Sequence, residues 1–181
     1  MQWELKPIWN GEDVFIIGGG PSLKSFDFSL LKDKKVIGCN DAYTLGEEIV
    51  DIVVFGDYKW WLHHKDVKLF NEFTNPIITS HTKLARSEKI YWVRKEAMGF
   101  HKDALGWNGN TGSMAINLAL CCGAKRIFLL GYDMSLGLEG QSNWHINPID
   151  KPSPTHYARY TEAMTQSLPQ IEMNWPGVEI I

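Results

Sequence analysis

Short apolar runs alternate along the chain with segments of helical spacing. Four runs rich in β-branched and large apolar residues predict strands that begin near Val14, Lys35, Ile52 and Arg126. Strands of a parallel sheet that is covered on both faces are almost continuously apolar. The alternation therefore predicts an α/β fold, with one Rossmann-like domain over residues 1–181 and helices on both faces of a mainly parallel sheet.

Weaker runs predict the remaining elements. "PIITS" and "IYWVR" are typical of short strands, with Pro76 marking the start of the first or an edge position, and the final "GVEII" predicts another strand. "FDFSLLKD" has helical spacing, and so has the segment "YKWWLHHKDVKLFNEF" that follows the third strand. One mostly apolar face of this second helix comprises Tyr58, Trp61, Leu62, Lys65 and Leu69.

Two further helices have clear boundary signals. "TGSMAINLALCCGA" predicts a helix with Asn110 or Thr111 as its N-cap and Gly123 at its end. "THYARYTEAMTQSLPQI" predicts a helix capped by Thr155, after a proline-rich loop from 147 to 154.

Composition narrows the functional classes. The 181 residues are 44% hydrophobic and 22% charged with a net charge of −3, so no basic surplus indicates nucleic acid. No apolar run is long enough to span a bilayer, and the N-terminal residues do not form a signal peptide. Cys39, Cys121 and Cys122 have no zinc-site or redox spacing, which favours small core residues in a reducing compartment. We therefore expect a cytoplasmic protein.

Small or polar residues follow each predicted strand. The first strand runs into Gly18-Gly19-Gly20-Pro21-Ser22, and later strands end at Asn40-Asp41, Gly56-Asp57 and Gly131-Tyr132-Asp133. Ligands of such sheets bind beyond the carboxyl ends of the strands. The glycine turn also resembles a phosphate-binding turn, in which unobstructed backbone N–H groups point at an anion.

The glycine turn departs from two common nucleotide motifs. Gly18 and Gly20 match the first glycines of the dinucleotide fingerprint, but Leu23 stands where the third glycine is expected. The chain also lacks the GxxxxGK[ST] motif of P-loop enzymes. A second candidate anion or sugar site is Asn110-Thr111-Gly112, directly before a predicted helix.

Taken together, these motifs resemble a known family. "IIGGGPSL", "VIGCNDAY", "TGSMAINLALCCGAKRIFLLGYD" and "HYARYTEAM" resemble the bacterial sialyltransferases of glycosyltransferase family 42, and also the MptE-like (DUF115) proteins and small phage-encoded relatives. In the sialyltransferases, the matching motifs hold a cytidine nucleotide sugar. The resemblance implies the same role for Gly18 to Ser22, Asn40, Asn110 to Gly112 and Gly131, although Gly19 replaces an Asn that is usual in the family.

The resemblance also implies a histidine base. The family's base opens a segment with a tyrosine four residues later, as His156 and Tyr160 do. His145 is the rival, because it follows the Asp133 strand end where the active site is expected. A histidine suits this step because its pKa of about 6.5 allows it to accept a hydroxyl proton at neutral pH.

The sequence-based hypothesis is a metal-independent, nucleotide-sugar-dependent glycosyltransferase acting on a hydroxyl-bearing acceptor. The phosphate would rest on the glycine turn and the Thr111 helix N-terminus, with Asn40 and Asp57 reaching the nucleoside or sugar. No cofactor is expected, since the chain has no DxD motif between strands and its histidines lack ligand spacing. Two alternatives stay open: an MptE-like diphosphokinase using ATP with Mg²⁺ near Asp57 or Asp133, and a non-catalytic nucleotide-binding module.

Overall fold

Seven parallel strands form the main sheet of the computed structural model, which describes residues 1–146 and 153–181. In chain order the strands are β1 (Asp13–Ile17), β2 (Lys35–Cys39), β3 (Ile52–Phe55), β4 (Ile77–Thr79), β5 (Tyr91–Trp92), β6 (Lys95–Glu96), β7 (Leu105–Gly106), β8 (Arg126–Leu130) and β9 (Glu179–Ile180). The sheet order is β5-β4-β3-β2-β1-β8-β9, and the short β6 and β7 pair separately. The α/β prediction and its four main strands are confirmed.

The strand order reverses beside β1. From β1 the chain builds outward through β2 to β5, then returns to place β8 on the other side of β1, where Ile17 pairs with Leu130. The carboxyl ends of β1 and β8 therefore flank a topological switch point, which is where open α/β sheets bind ligands. The glycine turn follows one of these two strands, and Gly131 follows the other.

Helices cover both faces of the sheet. The described residues form the α-helices α1 (Tyr58–His64), α2 (Lys68–Glu72), α3 (Thr111–Cys121) and α4 (Pro154–Asn174). Met114 of α3 and Ile171 of α4 belong to the buried cluster on one face, and Trp60 of α1 and Phe70 of α2 to the cluster on the other. The mostly apolar composition of α3 agrees with the nearly complete burial of this helix.

The sequence was misleading at two helical segments. Phe28–Leu31, within "FDFSLLKD", forms only a short 3-10 turn that begins at Asp27, whose carboxylate accepts the Ser29 N–H at 3.0 Å. The helix predicted from Tyr58 onward is interrupted between α1 and α2, which shifts the helical phase. The predicted apolar face is therefore wrong: Leu62 and Leu69 are 46% and 47% exposed.

The helix boundaries on either side of the cleft depend on side-chain caps. Asn110, one of the two predicted residues, caps α3 by accepting the Ser113 N–H at 2.8 Å, and Gly123 follows the helix at φ +87° as expected. The predicted cap of α4 at Thr155 is wrong. Ser153 is the N-cap, because Pro154 occupies the first helical position and needs no N–H partner there. Residues 147–152 of the predicted proline-rich loop lie outside the described residues.

Candidate functional site

A cleft of about 580 Å³ opens at the switch point of the sheet. Its walls come from the strand ends and from the N-terminal turns of α1, α3 and α4. The sequence-predicted residues that line it are Gly18, Gly19, Gly20, Asn40, Asp57, Asn110, Thr111, Gly112, Gly131 and His156. Pro21, Ser22, Asp133 and His145, also predicted, are not among the lining residues.

Most N–H donors of the glycine turn are already engaged. The Gly18 N–H donates to the Leu130 carbonyl and the Gly20 N–H to the Gly131 carbonyl, both at 2.8 Å. The Ser22 N–H donates to Asp133 Oδ2 at 2.8 Å, and Pro21 has no N–H to offer. Within the described residues, Gly19 alone among these five keeps a backbone donor for a ligand.

Close backbone approach explains two of the three consecutive glycines. A Cβ at Gly20 would lie 2.5 Å from both Asp133 Oδ2 and the Gly131 carbonyl, and one at Gly18 would lie 2.7 Å from the same carbonyl. At Gly19 the nearest atom is the flexible Asn143 side-chain amide, 2.9 Å away. The turn therefore packs against the end of β8 through Gly18 and Gly20, while Gly19 borders the cleft.

The start of α3 offers unused donors. The N–H groups of Thr111 and Gly112 occupy the first two helical positions, which have no partner inside the helix, whereas the Ser113 N–H is taken by Asn110. The Thr111 hydroxyl lies 3.4 Å from Asn40 Oδ1. Asn40 follows β2 at φ +52°, a left-handed conformation that asparagine tolerates. This helix end has the donors and the dipole to hold an anion.

His156 lies at the start of α4 and also lines the cleft. Its ring Nδ1 is 3.2 Å from the Ser153 backbone nitrogen and 2.8 Å from the Ser153 hydroxyl. Ser153 and His156 together form a capping box at the start of the helix. Tyr157 and Tyr160, in the next turn, line the cleft as well. The Tyr157 hydroxyl is buried and has no hydrogen-bond partner in the described part of the chain.

His145 points away from the cleft, into a buried polar cluster. Its Nδ1 lies 3.1 Å from Asp41 Oδ2, and its side chain is 14% exposed. The indole N–H of Trp60 donates to Asp41 Oδ1 at 2.5 Å, and His64 Nε2 is 3.4 Å from the same oxygen. Burial alone would raise the pKa of Asp41, but the hydrogen bonds from His145 and Trp60 outweigh it, so the pKa is lowered.

The segment containing His145 is attached to the glycine turn. The Trp144 backbone N–H donates to the Gly19 carbonyl at 3.1 Å, and its indole N–H donates to the Gly18 carbonyl at 2.9 Å. The Trp144 ring also packs against Phe28, with centroids 5.0 Å apart. His145 therefore anchors this segment on Asp41 while Trp144 fastens it over the turn.

Asp57 follows β3 and faces the cleft. It is the N-cap of α1, but its carboxylate makes no capping bond and no hydrogen bond to any residue that the structure describes. Burial removes water from around the carboxylate and so raises its pKa. The nearby charges of Lys95 and His81 only partly oppose this rise.

The other lining residues were not predicted as site residues; they are Cys39, Lys59, Trp60, Tyr132, Met134, Ser135, Ser142, Asn143, Tyr157 and Tyr160. Tyr160 had been noted only for its spacing from His156. A search for every side chain within one turn of a strand end or helix start would have found Cys39, Lys59 and Tyr132.

Neither a metal cluster nor a membrane-spanning helix is found in the described part of the chain. Across residues 1–146 and 153–181, no three His, Cys, Asp or Glu side chains group together as metal ligands would. None of the helices in these ranges combines the length and the apolar character that crossing a membrane requires.

Comparison with known proteins finds similarity of structure and none of sequence. No family model matches the sequence, and no curated protein matches it. The sialyltransferase CstII from Campylobacter jejuni, solved with cytidine-5'-monophosphate, superposes with a TM-score of 0.52 and 17% identity, over 94% of this chain and 79% of that chain. Its complex with CMP-3FNeuAc gives 0.51 and 18%, over 93% and 78%.

A second glycosyltransferase has a similar structure. The MAf glycosyltransferase from Magnetospirillum magneticum AMB-1 superposes with a TM-score of 0.54 and 20% identity, over 84% of this chain and 26% of that much longer chain. The chain shares the fold of these glycosyltransferases. The neighbours support a glycosyltransferase-like fold; the relationship to MptE-like and phage-encoded proteins stays a prediction.

Proposed function

We propose that this chain is a nucleotide-sugar-dependent glycosyltransferase of the sialyltransferase type. The observation that supports it most is a cleft at the switch point whose α3 end presents two N–H donors without a partner among residues 1–146 and 153–181, in a chain with the fold of CstII. CstII was solved with CMP and with the donor analogue CMP-3FNeuAc, which motivates a cytidine nucleotide sugar as the donor here.

The donor phosphate would lie at the start of α3. Thr111 and Gly112 supply N–H groups there, and the helix dipole contributes roughly 0.3–1 kcal/mol of attraction for an anion. Gly19 lines the cleft, so its N–H can add one further contact to the phosphate. The sequence-based hypothesis had assigned this role to the whole glycine turn. Asn40, beside the Thr111 hydroxyl, would bind the nucleoside or sugar.

His156 is the histidine that can touch a substrate, because it lines the cleft and His145 does not. We propose a metal-independent reaction, in which N–H and O–H donors rather than Mg²⁺ stabilise the departing phosphate. The unpartnered Tyr157 hydroxyl and the neighbouring Tyr160 support this, since both are donors on the same wall.

A ligand panel tests the donor class. Thermal shifts with CMP-, UDP- and GDP-sugars are compared with ATP plus Mg²⁺, and a ligand at a hundred times its Kd should add about 2.7 kcal/mol of stability. We expect the CMP-sugar to give the largest shift, and CMP release to accompany sugar transfer. A larger shift with ATP and Mg²⁺ would indicate a diphosphokinase, and binding without turnover would indicate a non-catalytic module.

A matched pair of variants tests whether the Thr111 hydroxyl contacts the donor. Thr111→Val removes the hydroxyl beside Asn40 and should weaken CMP binding by roughly 0.5–1.5 kcal/mol. Thr165→Val makes the same change at an exposed position of α4 and should leave binding unchanged. Equal CMP affinity in parent and Thr111→Val would argue against a contact between the donor and the Thr111 hydroxyl.

A further inference from the structure

The titratable side chains that line the cleft differ in whether they can donate or accept a proton. They are Cys39, Asp57, Lys59, Tyr132, His156, Tyr157 and Tyr160. Transfer of a sugar to a hydroxyl needs one group that accepts the hydroxyl proton and others that donate to the departing phosphate. The hydrogen bonds of each side chain indicate which of these roles it can fill.

The contact with Ser153 holds the neutral His156 ring in the tautomer that carries its proton on Nε2. The Ser153 backbone nitrogen can only donate, so the ring Nδ1 that it contacts at 3.2 Å must be the acceptor. A neutral imidazole whose Nδ1 carries a lone pair bears its proton on Nε2. The ring nitrogen left for a substrate is therefore an N–H donor, and using it as a base would require breaking the cap of α4.

The tyrosines and the cysteine also keep their protons. Burial raises the pKa of Tyr157 and of Tyr160, and it raises the pKa of Cys39 to about 12. All three are protonated at neutral pH, so the two tyrosines are hydrogen-bond donors and Cys39 is a neutral thiol.

Asp57 is the acceptor on the cleft wall. Its carboxylate has no hydrogen bond within the described residues, whereas the carboxylates of Asp41 and Asp133 are occupied by protein donors. The groups that face it are Lys95, His81 and Tyr160, with Lys59 on the same wall. The burial that raises the pKa of Asp57 also makes its carboxylate a stronger base than that of an exposed aspartate.

We propose that Asp57 is the catalytic base and that His156 is a donor to the leaving group. This inference rests on the proposed function. The acceptor oxygen forms a bond to the anomeric carbon of the donor, its proton passes to the Asp57 carboxylate, and the bond between the anomeric carbon and the phosphate oxygen breaks. The nucleotide leaves with the electron pair, and the Nε2–H of His156 hydrogen-bonds that oxygen.

The pH dependence of CMP release from CMP-NeuAc, with water or an added galactoside as acceptor, separates the two roles. In the parent, kcat/KM should rise with pH as Asp57 ionises. Asp57→Asn should lower kcat by roughly 10²–10⁴ and abolish this acidic limb. His156→Asn keeps an oxygen near the Ser153 N–H but lacks Nε2–H, so it should lower kcat by roughly 10²–10³ and retain the limb. Asp66→Asn, at a carboxylate whose side chain is 82% exposed, is the matched control and should behave as the parent.

A readout without turnover checks the protonation states. Proton–nitrogen NMR of histidine-labelled parent, assigned with the His156→Asn spectrum, should show His156 as the Nε2–H tautomer. The Nδ1–H tautomer, or an acidic limb lost in His156→Asn and kept in Asp57→Asn, would overturn the assignment even if sugar transfer occurs. A parent that binds CMP but releases none from CMP-NeuAc would instead refute the proposed function, and the roles of Asp57 and His156 with it.

Discussion

The carboxylate of Asp133 binds Ser22, 111 residues earlier in the chain, through two hydrogen bonds. Oδ2 accepts the Ser22 backbone N–H at 2.8 Å, and Oδ1 accepts its hydroxyl at 2.6 Å. An anion is therefore already bound to the end of the glycine turn, and it belongs to the protein. The turn closes the β1–β8 junction, which leaves Gly19 at the cleft.

Removing this carboxylate should destabilise the junction. Asp133→Ala leaves the Ser22 N–H and hydroxyl without their partner, which should cost roughly 1–3 kcal/mol of unfolding free energy. Asp133→Asn retains an acceptor and should cost less. Urea denaturation monitored by tryptophan fluorescence measures both, with Glu139→Gln, an exposed carboxylate of the same loop, as the control. Equal stability of parent and Asp133→Ala would show that water replaces the carboxylate at no cost.

Adjacent glycines should respond differently to the same substitution. Gly20→Ala places a methyl group 2.5 Å from a backbone carbonyl, which cannot move aside cheaply, so the melting temperature should fall clearly. Gly19→Ala meets only the Asn143 side chain and should fold normally. Because Gly19 borders the cleft, its methyl group should instead weaken CMP binding, which calorimetry would detect. Normal CMP affinity in Gly19→Ala would show that the ligand does not approach the Cα of Gly19 closely.

The sequence predicted the sheet well and the helices less well, for physical reasons. Strands such as Ile52–Phe55 are buried on both faces, so their composition alone indicates them. The phase of the α1–α2 segment depends on a break near Lys65, and on Trp60 and His64 packing under Tyr43, which are tertiary effects. Local periodicity contains no information about either.

The site illustrates the same limit. Strand ends correctly indicated where Asn40, Asp57 and Gly131 would meet, since that follows from parallel topology. Whether the glycine turn has free donors depends on the end of β8, because the Leu130 and Gly131 carbonyls and the Asp133 carboxylate accept its N–H groups, and no local motif predicts these contacts. Likewise the sequence favours His156 through its spacing from Tyr160 and keeps His145 as the rival, whereas the structure places His156 at the cleft and His145 against the buried Asp41.

Acidification should destabilise the fold through His64. Burial lowers the pKa of His64 from its ordinary value of 6.5, with Asp41 only partly opposing this. Below about pH 6.5 the unfolded chain therefore binds a proton that the folded chain does not, so stability falls as pH decreases, by at most about 1.4 kcal/mol per pH unit for this proton. Urea midpoints between pH 7.5 and 5 should show a shallower slope in His64→Gln than in the parent. His63→Gln, at the exposed neighbour on α1, should keep the parental slope. A reduced slope in His63→Gln and a parental slope in His64→Gln would show that His63, not His64, causes the pH dependence.

The two candidate histidines should separate stability from turnover. His145→Ala removes the partner of a buried carboxylate, so it should cost roughly 1–3 kcal/mol of unfolding free energy, while His156 and the cleft wall stay in place. His156→Ala removes an exposed side chain that takes part in the cap of α4, so it should cost roughly 0.5–2 kcal/mol of unfolding free energy. The same variant should lower kcat by roughly 10²–10³. CMP release measured well below each variant's melting temperature, beside urea denaturation, tests both. A loss of turnover in His145→Ala as large as that in His156→Ala, with the folded fraction unchanged, would mean that His145 leaves Asp41 and enters the cleft during the reaction.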